Sequence, residues 1–348
     1  MSIQIYTGLT SGLANAAAEG QTLEALGFDG VSTDETAHDP FLPLAIVAQH
    51  TKTLRLRTGI AIAFARSPMT LANLAHDLNS FSGGRFTLGL GSQIKPHITR
   101  RFSMPWSSPA ARMREMVEAI RAIFANWYDG ETLNFEGKFY THTLMTPMFT
   151  PTDTEHGKPP IAVAAVGPLM TEAVGAVADG MFAHSFTTEA YLRQHTLPRL
   201  HAGLASTGRN PQDCRVSLGP FIVTGTTEEA FKKSRRTAAD RIAFYGSTPA
   251  YRPVLELHGW GELQTELHKM TREGRWREMG ALIDDEVLNT FAVVGEVKDI
   301  APGIWRRYGD IIEDFSIGRV ADVETVAEIA ADLRALAAAP TPAQSRAT

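Results

Sequence analysis

The sequence predicts an α/β protein built as a (β/α)8 TIM barrel with insertions. Eight short apolar stretches alternate with helical patterns along the 348 residues. Several of these stretches are apolar at nearly every position, as is typical of parallel strands covered on both faces. No Gly-x-Gly-x-x-Gly pattern follows the first stretch, although an open dinucleotide-binding sheet would carry one there. A closed barrel is therefore favoured over a doubly wound sheet.

The eight predicted strands are short segments bounded by polar or glycine-containing turns. They are Ile3–Thr7, Phe28–Thr33, Leu54–Phe64, Arg85–Leu90, Ile161–Val166, Gly180–Phe186, Arg215–Thr224 and Asp310–Ile317. The third is apolar almost throughout after Arg57, so we expect both of its faces to be covered.

Helices are predicted between these strands from their apolar periodicity and their terminal residues. They are Ser11–Leu26, Phe41–Thr51, Ser67–Phe81, Pro109–Tyr128, Gly167–Ala178, Glu189–Thr207, Thr227–Phe244 and Val323–Leu336. Ser67 suits an N-cap, with Pro68 in the first turn, and Thr227 suits the cap of its own helix. The stripe of Pro109–Tyr128 is apolar and predicts a face packed on the core.

Two segments interrupt the alternation and predict excursions from one domain that spans residues 1–337. A small hairpin, turning at Glu136-Gly137, is expected within about 131–150. A mostly helical insertion is expected at about 251–292, with Tyr251, Trp260 and Trp276 as its aromatic side chains. Residues 338–348 are rich in Pro, Ala and Ser, and we expect a disordered tail.

Composition excludes several classes of function. With 44% hydrophobic residues the chain can bury a sizeable core, and a net charge of −5 without a long basic run argues against nucleic acid as a partner. Cys214 is the only cysteine, so no intramolecular disulfide is possible and a reducing cytoplasm fits. The N-terminus has no signal-peptide pattern, and no apolar run reaches the length of a membrane span. We expect a cytoplasmic protein that does not enter the membrane.

The loop after the fourth predicted strand has the composition of an anion site. Gly89, Gly91 and Ser92 allow backbone N–H groups to converge, and four basic side chains follow. These are Lys95, His97, Arg100 and Arg101. A tight turn that ends a barrel strand is the alternative interpretation of the same glycines.

Six stretches together resemble the luciferase-like monooxygenase family, and in particular its branch that uses the deazaflavin coenzyme F420. They are GFDGVSTDE at 27–35, LRLRTGIAIAFARSP at 54–68, SGGRFTLGLGSQ at 82–93, AAVGPLM at 164–170, VADGMFAH at 177–184 and FAVVGEV at 291–297. No single stretch is specific, but their order and spacing over about residues 1–320 are.

The resemblance implies a cofactor at the C-terminal ends of the barrel strands, which is also where active sites of such barrels lie. It implies a non-prolyl cis peptide between Gly59 and Ile60, followed by Ala61, in a bulge that supports the ring. It assigns the cofactor phosphate to two turns and its polyglutamate tail to basic neighbours. The residues so implied are Gly91, Ser92, Gln93, Val166, Gly167 and Pro168, with Lys95, His97 and Arg101 toward the tail.

The catalytic acid or base is the point where this chain departs from the family. Many F420-dependent relatives carry an Asp-His pair after the second strand, and the matching positions here are Glu35-Thr36. The carboxylate is kept and the imidazole is lost. His38, or His184 at the end of the sixth strand, would restore it, so we expect catalysis by Glu35 with one of these histidines.

The function implied by the resemblance is hydride transfer between coenzyme F420 and a small organic substrate by a homodimeric oxidoreductase. An FMN-dependent, two-component monooxygenase that uses dioxygen is the alternative, and a catalytically silent cofactor-binding relative is a third interpretation. A metal-dependent hydrolase would carry His-x-His after the first strand, but this strand ends in Thr7-Gly8-Leu9-Thr10, so no metal site is expected.

Overall fold

The computed structural model describes residues 3–318 and 320–339, and eight of its strands form a closed parallel barrel. The first strand pairs with the second and the eighth, and the third pairs with the fourth through Leu56 and Phe86, which closes the ring. The barrel strands are Gln4–Gly8, Gly30–Thr33, Arg55–Thr58, Phe86–Gly91, Ile161–Ala165, Gly180–Ala183, Arg215–Leu218 and Asp314–Ser316. The predicted (β/α)8 barrel is confirmed.

Helices surround this barrel and bury their apolar faces against it. They are Ala16–Ala25, Phe41–His50, Pro68–Phe81, Pro109–Asp129, Pro168–Val177, Leu197–Ser206, Val297–Tyr308 and Val323–Ala338. The Ser67 hydroxyl accepts a hydrogen bond from the Thr70 N–H at 3.2 Å, which confirms the predicted N-cap. Gly130, at φ +73°, ends the longest of these helices in the left-handed region.

Two of the predicted strands are interrupted at a backbone feature, and the second, sixth and eighth are shorter than the sequence predicts. The third stops at Thr58, a cis peptide joins Gly59 to Ile60, and a short strand Ala61–Ile62 resumes beside the fourth strand. The seventh stops at Leu218, and Gly219-Pro220 separates it from a second strand, Phe221–Val223. Proline cannot donate a backbone hydrogen bond, so the ladder cannot continue through it.

The predicted helix Glu189–Thr207 is also divided. A helical turn at Glu189–Tyr191 leads into a π-helix at Leu192–Thr196 before the regular helix Leu197–Ser206. The predicted hairpin is an antiparallel pair of two-residue strands, Phe135–Glu136 and Thr141–His142.

Most buried apolar residues of the segment between the seventh and eighth strands form a second hydrophobic cluster, which Phe186 joins, while Ile222 and Val293 pack in the main core. Phe221–Val223 pairs in parallel with Ala292–Val294, a strand that the sequence did not predict. The helices of this segment are Glu228–Gly246, Arg252–Glu256, Gly261–Arg272 and Asp285–Phe291. We name residues 221–294 the roof segment.

Two findings concern the chain as a whole. Residues 3–318 and 320–339 include no helix with the length and apolarity needed to cross a membrane. Ala338 is the last residue of a helix, and the rest of the predicted tail from residue 340 lies outside the described residues.

Candidate active site

The C-terminal ends of the barrel strands bring together several of the predicted site residues. Glu35 follows the second strand and is buried, at 8% exposure. Its Oε2 accepts hydrogen bonds from the Ile62 N–H at 2.6 Å and from an Arg66 Nη at 2.7 Å. Its own N–H donates to the Ile60 carbonyl at 3.1 Å. Glu35 therefore fastens the loop after the second strand to the segment after the cis peptide.

The cis peptide between Gly59 and Ile60 is present, as the resemblance implies. A Cβ built on Gly91 would lie 2.7 Å from two side-chain carbons of Ile60, so only glycine leaves room for that side chain. Ala61 and Ile62 pair with Leu90 and Gly91 of the fourth strand. The predicted residues Gly59, Ile60, Ala61 and Gly91 thus form one packed unit at the mouth of the barrel.

Asp34 lies beside this unit, in the region between the strand ends and the roof segment that we name the cleft. A Cβ built on Gly59 would lie 3.9 Å from Asp34 Oδ1. The Asp34 side chain is exposed to solvent, yet the walls of the cleft displace enough water to raise the pKa of its carboxyl. Such a carboxyl holds its proton more strongly than an ordinary aspartic acid, which is a property of acid–base groups in active sites.

His184 lies at the end of the sixth strand, as predicted, and is half-buried among aromatic rings. The centroids of Tyr245 and Tyr251 are 4.6 and 4.9 Å from that of the imidazole. Burial, assisted by the positive charge of Arg241, lowers the pKa of His184 to about 4. The Phe186 N–H donates to His184 Nδ1 at 2.9 Å. The neutral imidazole therefore carries its proton on Nε2, as a hydrogen-bond donor.

Arg241 was not predicted from the sequence, because an arginine on an exposed helix resembles any surface charge. It projects from the helix Glu228–Gly246, and its charge acts on both Asp34 and His184. Among the described residues it has no carboxylate partner, and its guanidinium lies 5.7 Å from the ring centroid of Phe221. Arg241 therefore supplies positive charge to the cleft.

The loop after the fourth strand carries the predicted basic residues on its surface. Ser92 and Gln93 are half-buried, and Gln93 adopts φ +57°, an uncommon value for a residue with a side chain. Lys95 and His97 are exposed, and residues 97–101 form a π-helix. An Arg101 Nη donates to the Thr36 carbonyl, which connects this loop to the one after the second strand.

The turn after the fifth strand presents a helix N-terminus to solvent. Gly167 is the N-cap of the helix Pro168–Val177, and no side chain caps it. Val166 and Gly167 are half-buried, Pro168 is exposed, and a Cβ built on Gly167 would meet no atom within 4 Å. Backbone N–H groups at such an end are available to an anion, and the helix dipole favours negative charge there.

No hydrogen bond, ion pair or ring contact with residues 3–318 or 320–339 brings His38 into this arrangement. It is exposed in the loop before the helix Phe41–His50. The neighbouring Asp39 is held instead, because Arg66 lies 3.1 Å from its carboxylate.

Within residues 3–318 and 320–339, no three His, Cys, Asp or Glu side chains are grouped so that they could hold a metal ion.

Comparison with known proteins shows relatives along most of the chain. The family model of the luciferase-like monooxygenases matches residues 3–314. A Mycobacterium tuberculosis relative, the uncharacterized protein Rv1360, is 52% identical over 83% of this chain and 85% of its own. The putative coenzyme F420-dependent oxidoreductase Rv3520c of the same organism is 25% identical, over 80% of this chain and 82% of its own.

Solved structures share the fold at low sequence identity. The coenzyme F420-dependent tetrahydromethanopterin reductase of Methanopyrus kandleri has a TM-score of 0.76 at 19% identity, over 94% of this chain and 97% of its own. The oxygenating constituent of 3,6-diketocamphane monooxygenase of Pseudomonas putida, in complex with FMN, has a TM-score of 0.67 at 15% identity, over 95% and 99%. The chain belongs to the luciferase-like monooxygenase family, whose members include F420-dependent reductases and flavin monooxygenases.

Proposed function

We propose that this protein is an F420-dependent oxidoreductase that transfers a hydride between the deazaflavin and a small organic substrate. The observation that carries the proposal is the basic loop at the mouth of the cleft. Lys95, His97 and Arg100 form no ion pair with any described residue, and Arg101 donates only to a backbone carbonyl. A cofactor tail that bears several carboxylates would pair with these cations, whereas FMN carries a single phosphate.

The residues at the strand ends fit the rest of such a cofactor. The uncapped helix N-terminus at Gly167 has open space in front of it and suits a phosphate. Ser92 and Gln93 would bind the same group from the neighbouring strand end. The unit around Gly59 and Ile60 would support the ring, and Glu35 would keep that unit in place through Ile62 and Arg66.

When bound, the deazaflavin supplies the carbon that gives or takes the hydride. The protein's own residues would orient the substrate and hold a proton. The neutral His184 would donate a hydrogen bond from Nε2 to a substrate oxygen. Asp34, whose pKa is raised by desolvation, would exchange a proton with the substrate, and Arg241 would stabilise negative charge that develops beside Asp34 and His184. Tyr251, beside His184, would form part of the ceiling.

Other members of the predicted catalytic set take smaller parts in this proposal. The two hydrogen bonds that Glu35 Oε2 accepts come from Ile62 and Arg66 of the protein itself, so we assign Glu35 a positioning role. Proton transfer by Glu35 stays a prediction. Proton transfer by His38 also stays a prediction. The homodimer is proposed from the family resemblance, and a reducing, cytoplasmic location from the single cysteine, Cys214.

The test is an equilibrium titration of the purified protein with F420, with FMN, and with the deazaflavin chromophore that lacks phosphate and glutamates. We expect F420 to bind most tightly. Removing the charge of Arg100, as Arg100→Gln, should weaken F420 binding about fivefold, because an exposed ion pair contributes about 1 kcal/mol. The same change should leave binding of the bare chromophore unchanged.

The matched control is Lys52→Gln, which removes an exposed charge before the third strand, at the opposite end of the barrel. It should bind all three ligands as the wild type does. Tighter binding of FMN than of F420 would favour the monooxygenase alternative, and an equal effect of Arg100→Gln on F420 and on the bare chromophore would refute the role of the basic loop.

A further inference from the structure

A second polar site lies inside the barrel at the end opposite to the cleft. Arg57, on the third strand, points into the barrel and is 4% exposed. Interiors of such barrels are ordinarily filled by branched apolar side chains. A buried guanidinium in this position needs partners for its charge and for its five N–H donors.

The protein supplies very few of these partners. Arg57 makes no hydrogen bond to any described residue, and its Nε is fully buried without one. The guanidinium carbon lies 3.5 Å from the ring centroid of Tyr6 and 4.9 Å from that of Phe182. These two rings contact the guanidinium through their π faces but do not accept conventional hydrogen bonds from its N–H groups.

The nearest carboxylate is already committed to another arginine. An Arg57 Nη lies 3.9 Å from Asp314 Oδ2, which is beyond hydrogen-bond distance. Asp314 Oδ1 accepts from Arg215 Nη2 at 2.5 Å and from its Nε at 3.1 Å. Asp314 therefore hydrogen-bonds to Arg215 and reaches Arg57 only at the longer distance, so two guanidinium groups share one carboxylate.

The guanidinium borders a cavity of about 120 Å³ that is large enough for a small ligand. Arg55 and Arg215 also line it, together with the hydroxyl-bearing Thr87 and Ser217. Its second carboxylate, Asp179, pairs with Arg121 at 2.6 Å. Arg55 is exposed, so the cavity can be reached from the N-terminal end of the barrel.

We propose that this cavity binds one small monovalent anion, of the size of a halide, nitrate or formate, against Arg57. Water alone could accept the N–H groups, but only an anion also balances the excess positive charge of the lining. The bound anion links the third strand to the seventh and eighth strands, which carry Ser217 and Asp314. It acts as a structural ligand of the barrel and takes no part in the chemistry of the cleft.

The test combines crystallography of the wild type with thermal unfolding. Crystals grown in sodium bromide should show an anomalous bromide peak within about 3.5 Å of an Arg57 Nη. The melting temperature should rise by about 2 °C for each tenfold increase in bromide above its Kd, with ionic strength held constant by gluconate. Arg57→Met should lose this dependence, whereas Arg114→Met, a change on an outer helix surface, should keep it.

Two results would overturn the proposal. One is electron density that contains only water at Arg57 in bromide-grown crystals. The other is a melting temperature whose bromide dependence is the same in Arg57→Met and in the wild type. If Arg57→Met does not fold, Arg57→Lys replaces it, and we expect a bromide Kd at least tenfold higher because the planar fork of donors is lost.

Discussion

Replacing His184 should change how the stability of this protein depends on pH. In the folded protein the pKa of His184 is about 4, whereas an unfolded chain has an ordinary value near 6.5. Above pH 6.5 the imidazole is neutral in both states, and its contribution to stability is fully present. As the pH falls toward 4, the unfolded chain binds a proton that the folded chain excludes, so stability is lost. The loss reaches roughly 2 kcal/mol at pH 5.

The assay is urea unfolding of the wild type and of His184→Gln at pH 7.5 and pH 5. Glutamine is polar but does not titrate, so the variant should lose about 2 kcal/mol less than the wild type between these two pH values. The exposed His201, as His201→Gln, is the control and should lose as much as the wild type. Equal losses in the wild type and in His184→Gln would refute the argument that burial controls this imidazole.

Two further predictions concern stability near the strand ends: one tests the Glu35–Arg66 ion pair, and the other tests the close backbone packing at Gly89. A double-mutant cycle of Glu35→Ala and Arg66→Ala should give a coupling energy of about 2 kcal/mol in the free energy of unfolding, because the pair is 2.7 Å apart and mostly buried. A coupling below about 0.5 kcal/mol would mean that the pair does not hold this loop. Gly89→Ala should cost at least about 3 kcal/mol, because its Cβ would lie 1.8 Å from a backbone carbonyl oxygen of the third strand. Gly12→Ala, with no atom within 4 Å of the new Cβ, should unfold at the wild-type urea concentration, and a similar loss in both variants would contradict the steric argument.

The barrel could be predicted from the sequence because its strands are short, apolar and separated by helical patterns. The interruption of the third strand could not be found in that pattern, since the mostly apolar run after Arg57 continues across the cis peptide to Phe64. Only the resemblance to a family indicated it. The division of the seventh strand had a local signal in Gly219-Pro220, but the partner of its second half, Ala292–Val294, lies about seventy residues later.

The cleft was predicted in part for a similar reason. His184 could be placed at a strand end, but its protonation state depends on Tyr245 and Tyr251, which come from the roof segment. The carboxylate of Glu35 was identified, while its partner Arg66 lies 31 residues further along the chain. Arg241 has no distinguishing neighbours in sequence, and only the folded chain brings its charge to the cleft.

The second hydrophobic cluster, in the roof segment, has a consequence for how related barrels can differ from one another. Most buried apolar residues of 221–294 pack on one another, and the chain enters and leaves the segment at Gly219-Pro220 and Gly295, while Ile222 and Val293 pack in the barrel core. An exchange of this segment between related barrels would therefore have to keep the packing of Ile222 and Val293 on the barrel core. Because Arg241 and Tyr251 belong to it, such an exchange would alter the proton affinities of the cleft together with its shape. Such an exchange would then change substrate choice and acid–base chemistry at the same time.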